Sequence, residues 1–195
     1  MNERLDLTEM FSSFYVTTQL SLDNEKLKKL CMELVPDVNK NSGRLDLNHE
    51  GFAELRSKVV EKTNIIHQKL GLSPNHEQEI WRYWVNLDRA YAAMEPHCHP
   101  DGFFSAVYYP SAENDSSLRF MNPVREIPIV VKRDFVAQNN KYWSQGWRVQ
   151  PTAGMLVIFP SWIYHYIENE NYKNTGDRIS IAFDTRVVEK TLKII

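Results

Sequence analysis

Residues 95–110 read EPHCHPDGFFSAVYYP, and within them His97, His99 and Asp101 fall on alternate positions. In an extended strand, side chains at i, i+2 and i+4 leave the same face. Two imidazoles and a carboxylate could therefore look into one pocket, and donors of these types suit a divalent metal. The chain holds only six histidines, so placing two of them one residue apart is conspicuous. A further histidine, His165, lies far along the chain in WIYHYIE. A lone histidine in such an apolar stretch is usually a packed core residue. Together with the earlier pair it completes a donor set drawn from distant parts of the chain, the arrangement of a facial triad. Beyond a polar loop, Arg178 and Ser180 stand two apart on a strand-like run and share a face.

The elements that would carry these groups follow from periodicity. FYVTTQL (14–20) predicts a short strand. SLDNEKLKKLCMELV (21–35) predicts a helix with Ser21 or Asp23 as N-cap and with Leu27, Leu30, Cys31, Leu34 and Val35 on one face. NKNSGRLDLN reads as a loop. HEGFAELRSKVVEKTNIIHQKLG (49–71) predicts the longest helix, stopped by Gly71, with Phe52, Leu55, Val59, Val60, Ile65 and Ile66 as its apolar stripe. SPNHEQ reads as a turn, and His67 and His76 as surface residues. From residue 79 onward β-prone runs follow one another: IWRYWVNLD, FFSAVYYP, SLRFMNPV, IPIVV, WRVQPTAG, MLVIFP, IYHYIE and DRISIAFDTRVV. Two helices and then many short strands imply a mainly β sandwich or jelly roll braced by helices. The expected organisation is one domain over 1–195, with supporting elements in 1–78 and the β core in 79–195.

Composition narrows the functional classes. A net charge of −2 without a basic patch disfavours nucleic acid as a partner. No apolar run approaches membrane-spanning length, and the first residues lack the apolar stretch of a signal peptide. Two cysteines, Cys31 and Cys98, do not make a disulfide framework, so a cytoplasmic protein is expected. The many aromatic residues suit a β-rich interior.

As a set, HCHP, SAVYY, FPS, a late His and RISIAF resemble the Fe(II)/2-oxoglutarate-dependent oxygenases, in particular small members of phages and bacteria. The match spans about residues 79–185, with Ala106 where Gly is usual. The prolyl hydroxylases and the aspartyl/asparaginyl β-hydroxylases look more distant. The resemblance implies a double-stranded β-helix (jelly roll, cupin-like) and a dioxygenase using Fe(II), 2-oxoglutarate and O2, with ascorbate as reductant. It implies hydroxylation of an unactivated C–H bond in a small-molecule or peptidyl substrate, a prolyl or other amino-acid side chain leading. The compartment would be the cytoplasm, that of the host if the protein is phage-encoded. The pattern places the early metal ligands at His97 and His99 and the late one at His165. The literal H-x-D, His99-Pro100-Asp101, offers Asp101 as an alternative carboxylate ligand. Pro100 would end the strand after His99 and leave Asp101 in a turn. Cys98 would point away from both histidines. Also by resemblance, Arg178 would clamp the distal carboxylate of 2-oxoglutarate with a bidentate fork, beside Ser180. Tyr109, or alternatively Tyr108, and Asn86 would add hydrogen bonds.

Other functions compete for the same residues. HCH with GMLVIFPSWIYHYIEN also resembles the two cupin motifs, which would make the protein a metal-dependent oxygenase or isomerase that does not use 2-oxoglutarate. A cupin would carry Glu shortly after the histidine pair, where this chain has Phe103 and Phe104, and Gly where it has Trp162. The third alternative is a non-catalytic jelly-roll binding module. Lys132, Arg133 and Lys141 read as solvated charges, although 132–148 could lie over the mouth of the site.

Overall fold

The computed structural model describes residues 12–37, 40–88, 94–124, 138, 140–169 and 176–190. The expected strand IPIVV and residues 132–137 and 139 of the segment expected over the mouth lie outside these residues. Strand β1 (Val16–Gln19) leads into helix α1 (Asn24–Leu34). Asp23 caps that helix, its carboxylate accepting from the Lys26 amide at 3.0 Å. A two-residue strand, β2 (Lys40–Asn41), lies within the expected loop, where it pairs with the edge of the main sheet. A 3-10 turn (Glu50–Phe52) opens helix α2 (Ala53–Lys69), and Gly71 ends it at φ +69°. Only a residue without Cβ adopts that left-handed conformation at little cost.

The strands follow as β3 (His76–Asp88), β4 (Met94–His97), β5 (Phe104–Ala112), β6 (Ser116–Met121), β7 (Gly146–Val149), β8 (Met155–Pro160), β9 (His165–Asn169) and β10 (Arg178–Glu189). They form a six-stranded sheet, β1-β8-β5-β10-β3-β2, and a four-stranded sheet, β4-β9-β6-β7. The strand pairings among the described residues are all antiparallel. The larger sheet is covered on both faces. On one side Leu27, Cys31, Phe52, Leu55, Val59 and Ile66 of the helices pack on Tyr83, Tyr108, Ile158, Ile181 and Phe183. On the other, Val107, Tyr109, Val157, Phe159 and Ala182 meet Leu118, Phe120 and Val149 of the smaller sheet. Burial of each Val, Leu, Ile or Phe among these side chains contributes about 1.5–3 kcal/mol. This is the mainly β, helix-braced double-sheet architecture expected from the sequence.

Three local expectations change. Ile65 belongs to the exposed side of α2, one position off the buried stripe. His67 is buried, bonded through its ring nitrogens to Gln78 and the Ser73 carbonyl, because β3 folds over the end of α2. His76 is half-buried and begins β3, so the strand starts inside the expected turn. Among the described residues, no helix is long and apolar enough to cross a membrane.

Candidate metal and cosubstrate site

The space between the sheets is lined by alternate residues of β10. Ile179, Ile181 and Phe183 face the helices, so Arg178, Ser180, Ala182 and Asp184 face the smaller sheet. Across the β3–β10 pairing these inner residues meet Asp88, Asn86, Trp84 and Arg82 in turn. The inner face is thus polar at both ends, with Trp84 and Ala182 between.

At one end stand the histidines. Register pairs His97 of β4 with His165 of β9, and the turn that follows β4 brings His99 beside them. One donor atom from each of His97, His99 and His165 lies within 4.8 Å of the others. The ring hydrogen bonds settle which nitrogen each offers. Nδ1 of His97 contacts the Glu95 carbonyl at 2.8 Å, and Nδ1 of His165 contacts the Ile163 carbonyl at 3.0 Å. Nδ1 of His99 contacts Asp184 Oδ1 at 2.7 Å. A carbonyl or carboxylate oxygen only accepts, so each Nδ1 carries the proton and donates. Three Nε2 lone pairs therefore remain for one ion, a donor set that fits Fe(II). Asp101 is exposed in the turn closed by the Gly102 amide on the His99 carbonyl, and it does not join this group. Strand alternation stops at His97, so it cannot carry Asp101 onto the same face. Cys98 is a free, half-buried thiol outside the group.

At the other end, Arg178 is 2% exposed, and its guanidinium donates to Asp88 Oδ2 at 2.5 Å. It also reaches the Tyr109 hydroxyl at 3.3 Å. Asn86 donates to Ser180 Oγ at 3.2 Å in the adjacent row. Four of the expected residues, Arg178, Tyr109, Ser180 and Asn86, are therefore brought together. Tyr108 is not among them. It points through the sheet to the helices, where its hydroxyl donates to Asn24 at 2.5 Å. Among the described residues, Arg178 Nε and Ser116 Oγ are buried without partners. An unsatisfied buried donor is costly, and a carboxylate acceptor at this end would satisfy Arg178 Nε.

The chain as a whole has counterparts elsewhere. The family described as "Putative 2OG-Fe(II) oxygenase" matches residues 82–184, more than half of the chain. The chain belongs to this family. The oxygenase also resembles solved structures at low identity. The viral collagen prolyl hydroxylase vCPH of Paramecium Bursaria Chlorella virus-1 is 12% identical, with 96% of this chain and 98% of that one covered and a TM-score of 0.58. HygX of Streptomyces hygroscopicus, with nickel and 2-oxoglutarate bound, is 11% identical, with 92% and 83% covered and a TM-score of 0.56. A 2OG-Fe(II) oxygenase family oxidoreductase of Burkholderia pseudomallei is 14% identical, with a TM-score of 0.51. That match covers 72% of this chain, which spans only 58% of that one's length. No curated protein matches the oxygenase in sequence.

Sequence reasoning missed Asp184, Ser105 and Arg82 behind the histidines, and Asp88 beside Arg178. Asp184 was within reach of it, since it shares the parity of Arg178 and Ser180 along β10. Asp88 was not, because its contact with Arg178 exists only through the β3–β10 register. Glu168 accepts from Arg119 Nε at 2.5 Å.

Burial pushes the His165 imidazole down to about 4, with His97 and His99 adding to the effect and the Ile163 carbonyl opposing it. A neutral ring at neutral pH is the form that can bind a metal. It also makes the metal-free oxygenase acid-sensitive. The unfolded chain takes up a proton near pH 6.5 that the folded His165 refuses until about pH 4. Stability from this residue is therefore complete above pH 6.5 and falls through that window by up to about 3 kcal/mol. Asp184 acts in the same direction: burial opposes its charge, but hydrogen bonds from His99, Ser105 and Arg82 outweigh this and hold its carboxyl below the usual range. Denaturant unfolding of metal-free protein at pH 7.5 and pH 4 should show a marked loss. His165→Gln should show a smaller one, and equal losses would remove His165 as a source.

Proposed function

We propose that this oxygenase is a 2-oxoglutarate-dependent hydroxylase whose Fe(II) is held by Nε2 of His97, His99 and His165. The observation that carries this is the convergence of three free Nε2 lone pairs at one end of the inner face, with a buried, incompletely satisfied guanidinium at the other. Arg178, aided by Tyr109, Ser180 and Asn86, is assigned to the distal carboxylate of 2-oxoglutarate. When bound, the Fe(II) and 2-oxoglutarate couple supplies the oxidation: 2-oxoglutarate, O2 and a C–H bond give succinate, CO2 and the hydroxylated product. The chain's own residues hold, orient and dry the site. Val107, Leu118, Val157, Phe159 and Ala182 keep water from the space between the two ends.

The proposed substrate is a prolyl or other amino-acid side chain, and the viral relative is named as a collagen prolyl hydroxylase. Support comes from an aromatic row. His165, Phe120 and Trp147 are direct cross-strand neighbours and so share a face. Tyr15 stacks on Phe120 with centroids 5.4 Å apart, and both Tyr15 and Trp147 are exposed. Aromatic faces beside the metal would seat a small saturated ring. Ascorbate is the proposed reductant and the cytoplasm the proposed compartment. The cupin alternative is weaker because Phe104, where a cupin would carry its acid, is buried in the helix-side core.

The test is incubation of iron-loaded protein with 2-oxoglutarate, O2 and ascorbate, with succinate measured. Slow succinate formation without substrate is expected, and faster formation with a proline-rich peptide. Stoichiometric iron without any succinate would return the cupin function to first place.

A further inference from the structure

Three imidazoles are a neutral ligand set, whereas the usual facial triad of non-haem iron oxygenases carries one carboxylate. The rings are not supported alike. His97 and His165 donate to neutral carbonyls of Glu95 and Ile163, while His99 donates to a carboxylate. That carboxylate, Asp184, is fully buried on β10. Its Oδ1 accepts from His99 and, at 2.7 Å, from Ser105 Oγ, while its Oδ2 accepts from Arg82 Nε at 2.6 Å. Arg82 is itself held over the Trp81 ring, 4.4 Å from its centroid. Ser105 is placed in turn by Ser161, with the two hydroxyls 3.0 Å apart. The turn carrying His99 must press close to this network. A Cβ on Gly102 would stand 2.6 Å from Ser161 Oγ and 3.5 Å from Asp184 Cβ. The backbone reinforces the position, because the His99 amide donates to the Ser161 carbonyl at 2.8 Å.

We propose that Asp184 is a positioning residue of the metal centre, holding His99 in the Nδ1–H form and supplying from behind the ligand the negative charge that no ligating carboxylate provides. The proposal rests on the three-histidine assignment. Its physical basis is that a carboxylate accepting from the far nitrogen of a ligating histidine fixes ring orientation and raises the basicity of the bound nitrogen. Arg82 occupies only the second oxygen, so Oδ1 stays directed at His99. Ser105 adds a neutral donor that locks the carboxylate's rotation.

Mn(II) titration of full-length, metal-stripped protein tests this, together with the nitrogen-15 spectrum of the histidine side chains. In the unsubstituted protein the spectrum should show His99 protonated at Nδ1, before and after Mn(II) is replaced by diamagnetic Zn(II). Asp184→Ala should weaken Mn(II) binding about 10- to 100-fold. Asp184→Asn is nearly isosteric and should fall between, since its amide oxygen still accepts but carries no charge. Ser105→Ala should change affinity less than either. If Asp184→Ala does not fold, Asp184→Asn and the tautomer measurement decide the matter. Asp184→Asn binding Mn(II) within twofold of the unsubstituted protein, or His99 protonated at Nε2, overturns the proposal. Unsubstituted protein that binds no Mn(II) would overturn the three-histidine assignment as well, so the two failures are distinguishable.

Discussion

His165→Ala is expected to abolish stoichiometric Fe(II) binding while the protein remains folded. The ring supplies one of three converging Nε2 donors, and without it His97 and His99 leave the set one donor short. The loss should exceed the roughly 10- to 100-fold typical for removing a partner behind a ligand. The structural cost should be modest. His165 packs on Phe159 at 4.7 Å between centroids and makes one ring hydrogen bond, to the Ile163 carbonyl. Its removal costs on the order of 1–3 kcal/mol, within the ordinary range for one substitution. His97→Ala should be comparably damaging to metal binding. Asp101→Ala should bind metal almost normally, because that carboxylate lies exposed outside the trio. Metal titration with a parallel thermal melt checks all three variants. One Fe(II) bound at unsubstituted affinity in His165→Ala would remove the late ligand. A greater loss in Asp101→Ala than in His97→Ala would move the site to His99 and Asp101.

The second large effect is expected at Arg178. Truncating one partner of a buried, charge-assisted pair typically costs roughly 2–5 kcal/mol, on the order of thirty- to several-thousand-fold in affinity. Arg178→Ala should raise the dissociation constant of 2-oxoglutarate by such a factor and leave Mn(II) affinity nearly unchanged. Arg178→Lys should recover only part of the loss, because an ammonium cannot make two parallel hydrogen bonds. Asp88 complicates the single variant, since it would be left buried without its cation. Pairing Arg178→Ala with Asp88→Ala removes both charges and separates lost cosubstrate binding from lost stability. Ser180→Ala should cost about 1 kcal/mol, as one ordinary hydrogen bond. Titration of 2-oxoglutarate into the Mn(II)-loaded proteins is the measurement. An unchanged dissociation constant in the double variant would show that Arg178 serves only Asp88.

Local pattern alone marks much of this molecule. The stripe Leu55, Val59 and Ile66 repeats at helical spacing, and the run Ile179, Ile181, Phe183 alternates at strand spacing, because each period follows from backbone geometry within a few residues. The same parity puts Arg178 and Ser180 on one inner face, and residue type and spacing nominate His97, His99, Asp101 and His165. Ile65 and His67 show the limit. Which flank of a helix is covered depends on what packs there, and β3 arrives from beyond the turn.

What the sequence by itself determined is therefore the candidate groups and their faces: His97, His99, Asp101 and His165 as possible donors and Arg178 beside Ser180, with the family resemblance favouring the three histidines. What only the tertiary structure decided is their partners. Asp184 meets His99 across 85 residues of chain, and Asp88 meets Arg178 across 90. Tyr109 is separated from Tyr108 as the inner tyrosine by the way β5 lies between β8 and β10. These contacts depend on strand register and its bulges, and a shift of one residue would turn every side chain to the opposite face. Register is set by how two cores pack on the two sides of one sheet, a property of the assembled layers that no short window of sequence contains.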